Sequence, residues 1–439
     1  MTLTPIDHSL RSRSAGDPET RTVLVLNSGS SSLKYQLVDP GSGEALAGGI
    51  VERIGEAGGR VKHEAKGEEV VRDLPVPDHG EALRIVMGLF DELGPSLAEA
   101  GIAAVGHRVV HGGEVFSAPT LIDDDVVAGV RDLIPLAPLH NPANVTGIEV
   151  ARELLHVPHV AVFDTAFFAT LPKAASTYAL DRKVAAEHGV RRYGFHGTSH
   201  QFVSSAVAEH PAVLAKLAVA GRGPETLRQV VLHLGNGASA SAVLGGAPVD
   251  TSMGLTPLEG LVMGTRSGDL DAGIIFHLVR GGMSGDEVDT LLNKRSGLLG
   301  MSGVGDMREL QKLVASGDDD ARLALDVYLH RLRKYVGAYA AVLGGIDVLT
   351  FTAGVGENDH RIRSGVVRGL KFLGLTVDAV ANETRSDEAR VISVRKPAEP
   401  GSPAEPHSLV EPVEAPLVMV VPTNEELAIA RQTMALVEG

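Results

Sequence analysis

The stretch LNSGSSSLKYQL, residues 26–37, joins two strand-like runs through one glycine and three consecutive serines. With the two-residue period of a strand, it has a polar, cationic face and an apolar face. The polar face holds Ser30, Ser32, Lys34 and Gln36, and the other face holds Ser31, Leu33, Tyr35 and Leu37. The pattern predicts a β-hairpin whose Gly-Ser turn offers N–H groups, hydroxyls and one ammonium to an anion such as phosphate. A serine-rich surface hairpin with a solvated lysine is the alternative.

Composition sets the broad class of protein. At 439 residues the chain is long enough for two domains, and 44% hydrophobic with 22% charged residues is the composition of a packed globule. The net charge of −15 argues against a general nucleic-acid or anionic-membrane binder, so neither partner is expected. The lack of cysteine excludes disulfides, thiolate zinc sites and cysteine nucleophiles, and it suits a cytoplasmic protein.

The chain alternates strand-like and helical segments, which indicates an α/β fold. Strands are predicted at TVLVLN, AAVGHRVV, VPHVAVFD, QVVLHLG, DVLTFTAG, VISV and PLVMVVPT. Helices are predicted at 81–100 and, from apolar residues at spacings of three and four, at 320–343. Residues 1–20 lack the apolar core of a signal peptide and are predicted to be a disordered extension. Residues 396–416 are rich in proline and glutamate and are predicted to form a mobile surface loop.

The opening motif recurs later in the chain. Aligning LVLNSGSSSLK (24–34) with LHLGNGASASA (232–242) places Gly29 on Gly237 and superposes strand, turn and second strand. Two related α/β domains, each with a glycine hairpin, would bind ATP in a cleft between them. A chance match within a glycine-rich chain is the alternative.

Several other motifs carry charged groups, and each also has a structural interpretation. Arg266 lies in EGLVMGTRSGDLDAG, where it could simply pair with Asp269 or Asp271. Asp164 ends a buried strand, where sheet enzymes hold catalytic carboxylates. The residues GT between His196 and His200 indicate a helix start rather than a metal site. Further candidates are Arg108 in VGHRVVHGGE, His140 in PLHNPAN, the glycines of TAGVGEN, and Glu425 with Glu426 after Thr423 and Asn424, which could be ordinary helix capping.

Together these stretches resemble the acetate kinase family. VLVLNSGSSSLKYQL and MGLTPLEGLVMGTRSGDLD look like its two signatures, and GHRVVHGGE, APLHNP, VFDTAF, YGFHGTSH, HLGNG, TAGVGEN and PTNEELAIAR follow in its order across residues 22–439. The resemblance implies the duplicated actin-like ATPase fold, built of two ribonuclease H-like domains around an interdomain cleft. It also implies a homodimer that phosphorylates acetate with ATP and Mg²⁺, or with Mn²⁺ in its place, giving acetyl phosphate and ADP.

The resemblance also implies roles for individual residues. Arg108 and Arg266 would hold acetate and the moving phosphoryl group, His196 would act in the transition state, and Asp164 would join them. Val110, Leu139, Phe195 and Pro257 would line the pocket for the acetate methyl, with His140 as a further contact. Asn27, Asp164 and Glu425 would position the metal ion. The nucleotide would contact Ser30, Ser32 and Lys34, the turn His233, Leu234, Gly235, Asn236 and Gly237, and the loop Ala353, Gly354, Val355, Gly356, Glu357 and Asn358.

Domain bounds and alternatives follow from the same comparison. The N-terminal domain is predicted at 21–165, completed by the helix 423–439, and the nucleotide-binding domain at 166–422. The family's proline and cysteine are replaced by Ala272 and Ser267.

A kinase of propionate or butyrate is the first alternative, because one methylene changes binding by only about 1–3 kcal/mol. A sugar kinase is disfavoured because an alcohol needs no pair of arginines. A non-catalytic filament or chaperone domain is disfavoured because no substrate domain is appended.

Overall fold

The computed structural model describes residues 21–97, 99–394 and 415–439, so the predicted segment 1–20 and most of 396–416 lie outside the described residues. The chain divides into two compact units. Unit 1 runs up to Ala166 and includes Glu425–Gly439, and unit 2 is Phe167–Asn424.

Unit 1 is built on a mixed sheet of order β5-β4-β3-β2-β1-β6-β8-β7. Its strands are β1 Thr22–Ser28, β2 Ser32–Val38, β3 Ala45–Glu52, β4 Gly59–Ala65, β5 Glu68–Leu74, β6 Ile102–Val109, β7 Thr120–Leu121 and β8 His159–Phe163. Strands β1 to β5 pair antiparallel, whereas β6 is parallel to β1 and β8 is parallel to β6. The helices α1 His79–Leu93, α2 Asp124–Asp132 and α3 Asn141–Leu154 follow in chain order.

The opening hairpin has the predicted alternation. Leu33, Tyr35 and Leu37 are buried in the core of unit 1, whereas Lys34 on the other face is exposed. Tyr35 reaches His63 on β4, and its hydroxyl lies 2.7 Å from Nδ1 of that ring. Burying one face of β2 fixes its register, because a slip by one residue would expose every apolar side chain.

Unit 2 is built on a second mixed sheet of order β11-β10-β9-β12-β14-β13. Its strands are β9 Arg228–Leu234, β10 Ala238–Leu244, β11 Ala247–Thr251, β12 Val348–Thr352, β13 Arg390–Val391 and β14 Leu417–Val420. Its helices are α4 Lys173–Ser176, α5 Arg182–Glu187, α6 Gly197–Glu209, α7 Pro211–Val219, α8 Ala272–Arg280, α9 Gly285–Lys294, α10 Gly297–Ser302, α11 Met307–Ala315, α12 Asp319–Leu343, α13 Ala353–Asn358, α14 His360–Arg368 and α15 Ala379–Glu383. The last helix, α16 Glu425–Glu438, belongs to unit 1.

The two sheets share one five-strand pattern, which confirms the predicted duplicated α/β architecture. In both, two antiparallel hairpin connections are followed by two parallel strands, as β3-β2-β1-β6-β8 and as β11-β10-β9-β12-β14. The predicted alignment of the two turns was wrong by two residues. Strand bounds superpose Gly29 on Gly235, not on Gly237, and each of these two glycines donates its N–H across the turn, to Ser32 O at 2.8 Å and to Gly237 O at 3.0 Å.

Some predicted bounds change in the structure. The helix predicted at 81–100 is α1, which ends at Leu93 because Gly94 follows with a φ of +75° and Pro95 cannot continue it. The helix predicted at 320–343 is confirmed as α12, and its Leu325, Leu332 and Val336 are buried. VISV contributes only the end of the short strand β13.

Membrane-spanning length was tested on the described helices. No single one is long and apolar enough to cross a bilayer, and only the pair α6 and α7, bent by 60° at their junction, passes on length and composition.

Candidate active site

The first group of charged residues lies in unit 1 at the ends of parallel strands β6 and β8. Asp164 follows β8 and accepts two hydrogen bonds from Arg108, from Nε at 2.9 Å and from Nη2 at 2.7 Å. Glu425, the first residue of α16, lies 3.8 Å from Arg108 Nε. Burial opposes the charge of Arg108, but Asp164 and Glu425 hold its pKa above the ordinary value.

The carboxylates of this group fit a hard divalent cation. Burial raises the pKa of Glu425, against the opposing charge of Arg108, and the nearby Asp164 raises it further. A cation would stabilise both carboxylates. Asn27, predicted as the third ligand, follows Leu26 on β1, and Leu26 pairs with His107 in the parallel ladder. Within the part of the chain that the structure describes, no group of three His, Cys, Asp or Glu residues forms a metal cage. Mg²⁺ suits such a site because it takes one or two carboxylates and completes its shell with water and phosphate oxygens.

The hairpin lysine is also paired within unit 1. Lys34 donates to the carboxylate of Glu426 on α16, and it lies opposite Asn27 in the β1–β2 ladder. Lys34 therefore has a carboxylate partner, while 53% of its side chain stays exposed, so the solvated lysine of the alternative interpretation is not excluded. Ser30 is exposed in the turn and Ser32 is half-buried at the start of β2. The sequence showed Glu426 as the second acidic residue after Asn424, and it was interpreted only as part of a helix cap. Its ion pair with Lys34 was not predicted.

The second group lies in unit 2 around the β9–β10 turn, Gly235 to Gly237. His233, at the end of β9, stacks on His196 with ring centroids 4.2 Å apart. A Cβ atom built on Gly237 would lie 3.4 Å from His196 Nε2 and 3.6 Å from Arg266 Nη1. The imidazole of His196 and the guanidinium of Arg266 therefore both face Gly237. Any side chain at position 237 would fill the space in front of them.

Arg266 is held in a closed loop beside that turn. Its Nη1 donates to Pro257 O at 3.1 Å and contacts Met263 Sδ at 3.6 Å. The loop is tied to the turn by the Gly264 N–H, which donates to Asn236 O at 3.0 Å. Among the residues that the structure describes, no carboxylate lies within salt-bridge distance of Arg266, and burial lowers its pKa.

The alternative pairing of Arg266 with Asp269 or Asp271 is wrong. Asp269 instead accepts the Gly260 N–H at 2.9 Å and the Tyr335 hydroxyl at 3.0 Å, and Arg331 lies 3.3 Å away. Asp271 caps α8 by accepting the Gly273 N–H. Asp269 thus holds the loop through Gly260, Tyr335 and Arg331, and the guanidinium of Arg266 has no counterion among the described residues.

The TAGVGEN loop is a tight turn from strand β12 into helix α13. Ala353 has a φ of +64°, which is unusual for a residue with a Cβ, and it begins α13 directly after β12. Its N–H donates to Glu357 Oε1 at 2.8 Å, and Thr423 N–H reaches the same oxygen at 3.1 Å. Burial raises the pKa of Glu357. Gly354 and Asn358 are exposed, whereas Gly356 is buried and Val355 half-buried.

The residues predicted to contact acetate fall in both units. In unit 1, Val110 is half-buried, Leu139 is 44% exposed, and His140 precedes α3. In unit 2, Phe195 is 1% exposed and precedes His196, and Pro257 contacts Arg266 through its carbonyl. The structure therefore brings Pro257 and Arg266 together within unit 2.

Sequence reasoning missed the hydroxyl groups behind the histidines. Ser239 Oγ lies 2.8 Å from His196 Nδ1, and Ser199 Oγ lies 2.8 Å from both His233 Nδ1 and Thr423 Oγ1. The available signal was the alternation in ASASAV, which places Ser239 and Ser241 on one face of a strand.

A repeated α/β fold with a glycine turn, a half-buried arginine without a counterion and a carboxylate pair is typical of nucleotide-dependent phosphotransferases. A family model described as "Acetokinase family" matches residues 22–431, and the chain belongs to this family. It is 56% identical over 420 residues to the acetate kinase of Streptomyces avermitilis, covering 94% of this chain and 97% of the relative. The predicted family and the predicted kinase class are confirmed.

Solved structures of relatives have the same fold. The crystal structure of Porphyromonas gingivalis acetate kinase is 42% identical with a TM-score of 0.81, covering 95% of this chain and 99% of that one. A propionate kinase from Francisella tularensis subsp. tularensis is 37% identical with a TM-score of 0.83, covering 94% and 99%.

Proposed function

We propose that this chain transfers the γ-phosphoryl group of ATP to acetate, reversibly and in line, giving acetyl phosphate and ADP. Arg266 carries the proposal, because a half-buried guanidinium without a counterion is stabilised when an anion binds beside it. The family membership and the acetate kinases among its relatives support acetate as the acceptor.

The chemistry needs charge neutralisation rather than a general base. A carboxylate with a pKa of about 4–5 is already ionised at neutral pH. One of its oxygens attacks the γ-phosphorus while the bond to the β,γ-bridging oxygen breaks, and the electron pair leaves with ADP. Catalysis of this step depends on positioning and on cationic donors around the transferring group.

The two groups of residues divide these tasks. In unit 2, Arg266 and His196 donate to the phosphoryl oxygens, and the backbone of the 235–237 turn and the TAGVGEN loop bind the nucleotide. In unit 1, Arg108 binds the acetate carboxylate through Nη1, which its pair with Asp164 leaves unused among the described contacts. Asn27, Asp164 and Glu425 would hold Mg²⁺, which when bound neutralises phosphate charge.

Hydroxamate formation tests the substrate. Purified protein with ATP, Mg²⁺ and hydroxylamine is assayed on acetate, propionate and butyrate, and kcat/KM is expected to be highest for acetate. A higher value for propionate would make the chain a propionate kinase, the activity named for the Francisella tularensis relative. Absence of hydroxamate from every acid would contradict the proposed function, and a non-catalytic ATP-binding role would then remain.

We also propose a homodimer, in the cytoplasm where its co-substrate ATP is found. Helix α8 has no buried residue, and Ile274, Phe276 and Val279 are 43%, 61% and 43% exposed. A second copy of this chain would cover these exposed apolar side chains. Light scattering should give a dimer, and Phe276→Glu should give a monomer, whereas Val380→Glu on α15 should not change the mass.

A further inference from the structure

A chain of hydrogen bonds runs from His196 into the core of unit 2. Ser239 Oγ lies 2.8 Å from His196 Nδ1 and 2.7 Å from His200 Nε2. The other nitrogen of His200, Nδ1, lies 2.8 Å from Ser241 Oγ. Ser239, His200 and Ser241 are all 0% exposed, so water does not replace these contacts.

The buried ring in the middle of this chain is neutral. Burial and the neighbouring His233 lower the pKa of His200 well below its ordinary value. A neutral imidazole has one N–H donor and one acceptor nitrogen, and a serine hydroxyl has a single proton. The protons of Ser239, His200 and Ser241 must therefore all point one way along the chain or all point the other way.

His196 is held at the start of α6 in an unusual backbone conformation. His196 precedes α6 with a φ of 57°, the left-handed region that residues with a Cβ rarely adopt. Stacking on His233 sets the plane of the ring, but a stacked ring can still turn within that plane. The contact of Ser239 Oγ with Nδ1 accompanies the orientation in which Nε2 faces Gly237.

We propose that Ser239 is a positioning residue for His196, building on the proposed function above. Ser241 donates to His200 Nδ1, His200 Nε2–H donates to Ser239, and Ser239 donates to His196 Nδ1. The remaining ring proton of His196 then lies on Nε2, the atom that faces the Gly237 turn and the transferring phosphoryl group. If His196 takes up a second proton, the chain reverses and Nε2–H is kept.

The hydroxyl of Ser239 suits this role because it donates and accepts equally well. An amide or carboxylate at this position would favour one protonation state of His196. Ser239 therefore keeps a donor at Nε2 in both states, which is what an anionic transition state requires. The proposed role of Ser239 depends only on the direction of the hydrogen bonds in this chain. It involves no proton transfer to substrate.

The variant Ser239→Ala tests the proposal by spectroscopy and by kinetics. In the wild-type protein, ¹⁵N chemical shifts of the His196 ring should report the Nε2–H tautomer, and Ser239→Ala should give a mixture of tautomers. Turnover should fall about 10- to 100-fold, in the range expected when a reacting group is misplaced. KM for ATP and acetate should change less than about threefold, and the melting temperature should stay near wild type.

Ser204→Ala is the control. It removes a buried hydroxyl of the same unit that donates to Gln201 O at 3.1 Å and takes no part in this chain of hydrogen bonds, so turnover should stay within about threefold of wild type. An equal loss in both serine variants would overturn the proposal, and so would an unchanged tautomer in Ser239→Ala or a wild-type Nδ1–H tautomer. A tautomer change with unaltered turnover would overturn it as well. The ring spectra are recorded on ligand-free protein, so a failure of the proposed acetate activity would be seen separately in the hydroxamate assay.

Discussion

The two candidate arginines show how neighbouring charges decide the role of a residue. Arg108 is held by Asp164 and lies near Glu425, so its charge is compensated before any substrate arrives. Arg266 donates to a carbonyl and contacts a sulfur, and burial lowers its pKa. Removing Arg108 would leave the buried Asp164 and the half-buried Glu425 without their cation, whereas removing Arg266 takes away a donor to Pro257 O but leaves no described carboxylate unpaired. Arg266 is therefore the cleaner position at which to separate catalysis from stability.

Arg266→Ala should lower turnover by roughly 10³-fold or more, as when a transition-state cation is lost in phosphoryl transfer. The melting temperature should stay close to wild type, because Asp269 keeps its bonds to Gly260 and Tyr335. Steady-state kinetics at saturating ATP and acetate, with a thermal melt on the same sample, measure both quantities.

Two controls sharpen this test. Arg266→Lys keeps the charge but loses the planar fork of the guanidinium, so it should recover little of the rate. Added guanidine should restore part of the turnover of Arg266→Ala but not that of Arg266→Lys, whose side chain still fills the space. Retention of more than about a tenth of wild-type turnover in the alanine variant would contradict the transition-state role.

At the level of helices and strands, the sequence predicts buried elements better than exposed ones. β1 and β12 were predicted because their residues are almost all buried, which gives continuous apolar runs. β5, EEVVRDL, was missed because it has no buried residue and therefore no apolar period. The two-residue error in aligning the turns arose because glycines were matched by identity. Register depends on which glycine closes the turn with its N–H, and that is visible only in the paired strands.

The insert between β13 and β14 connects two strands that are already paired. Val391 lies opposite Met419, and Ile392 N–H donates to Val418 O at 2.8 Å. Replacing 396–414 by a Gly/Ser linker about a quarter as long should lower the closure cost by about 1 kcal/mol. The melting temperature should be unchanged or slightly higher, and turnover should stay within about threefold of wild type. Ala415 is kept because its carbonyl accepts Lys216 Nζ at 2.9 Å.

A Gly/Ser segment of the original length is the control for the insert. It changes composition without changing the closure entropy, so any difference between the two replacements reports loop length alone. A large loss of activity or of the dimer in both replacements would mean that 396–414 has contacts essential for function, and the prediction would be wrong.

For the whole molecule, the candidate site was predicted largely through residue types, and its internal connections were not. Arg108, Asp164 and Glu425 meet because the parallel strands β6 and β8 end at the same edge of the sheet, where α16 begins. The contact between Ser239 and His196 depends on the directions of side chains on β10 and at the start of α6. The spacing of these residues along the chain does not predict the distance between Ser239 Oγ and His196 Nδ1. Seventeen histidines in the sequence gave no indication of which are buried, because burial is a property of the folded chain.

Buried histidines should make the stability of the protein depend on pH. Burial lowers the pKa of His63, His107, His159 and His200 in the folded state. The unfolded chain binds protons at these residues below about pH 6.5, whereas the folded protein does not, so the free energy of unfolding should fall as pH falls. At pH 5.5 the loss is at most about 1.4 kcal/mol for each histidine that stays neutral.

Urea unfolding at pH 7.5, 6.5 and 5.5 measures this dependence. The range stops at pH 5.5 because Asp250, Glu357 and Glu425 have raised pKa values, and raised carboxylates stabilise the folded state as pH falls further. His63→Gln should reduce the pH dependence, since it removes one buried ring, whereas His188→Gln at an exposed position should leave it unchanged. An unfolding midpoint that is the same at pH 7.5 and 5.5 would mean that these rings take up protons in the folded protein, against the burial that the fold imposes on them.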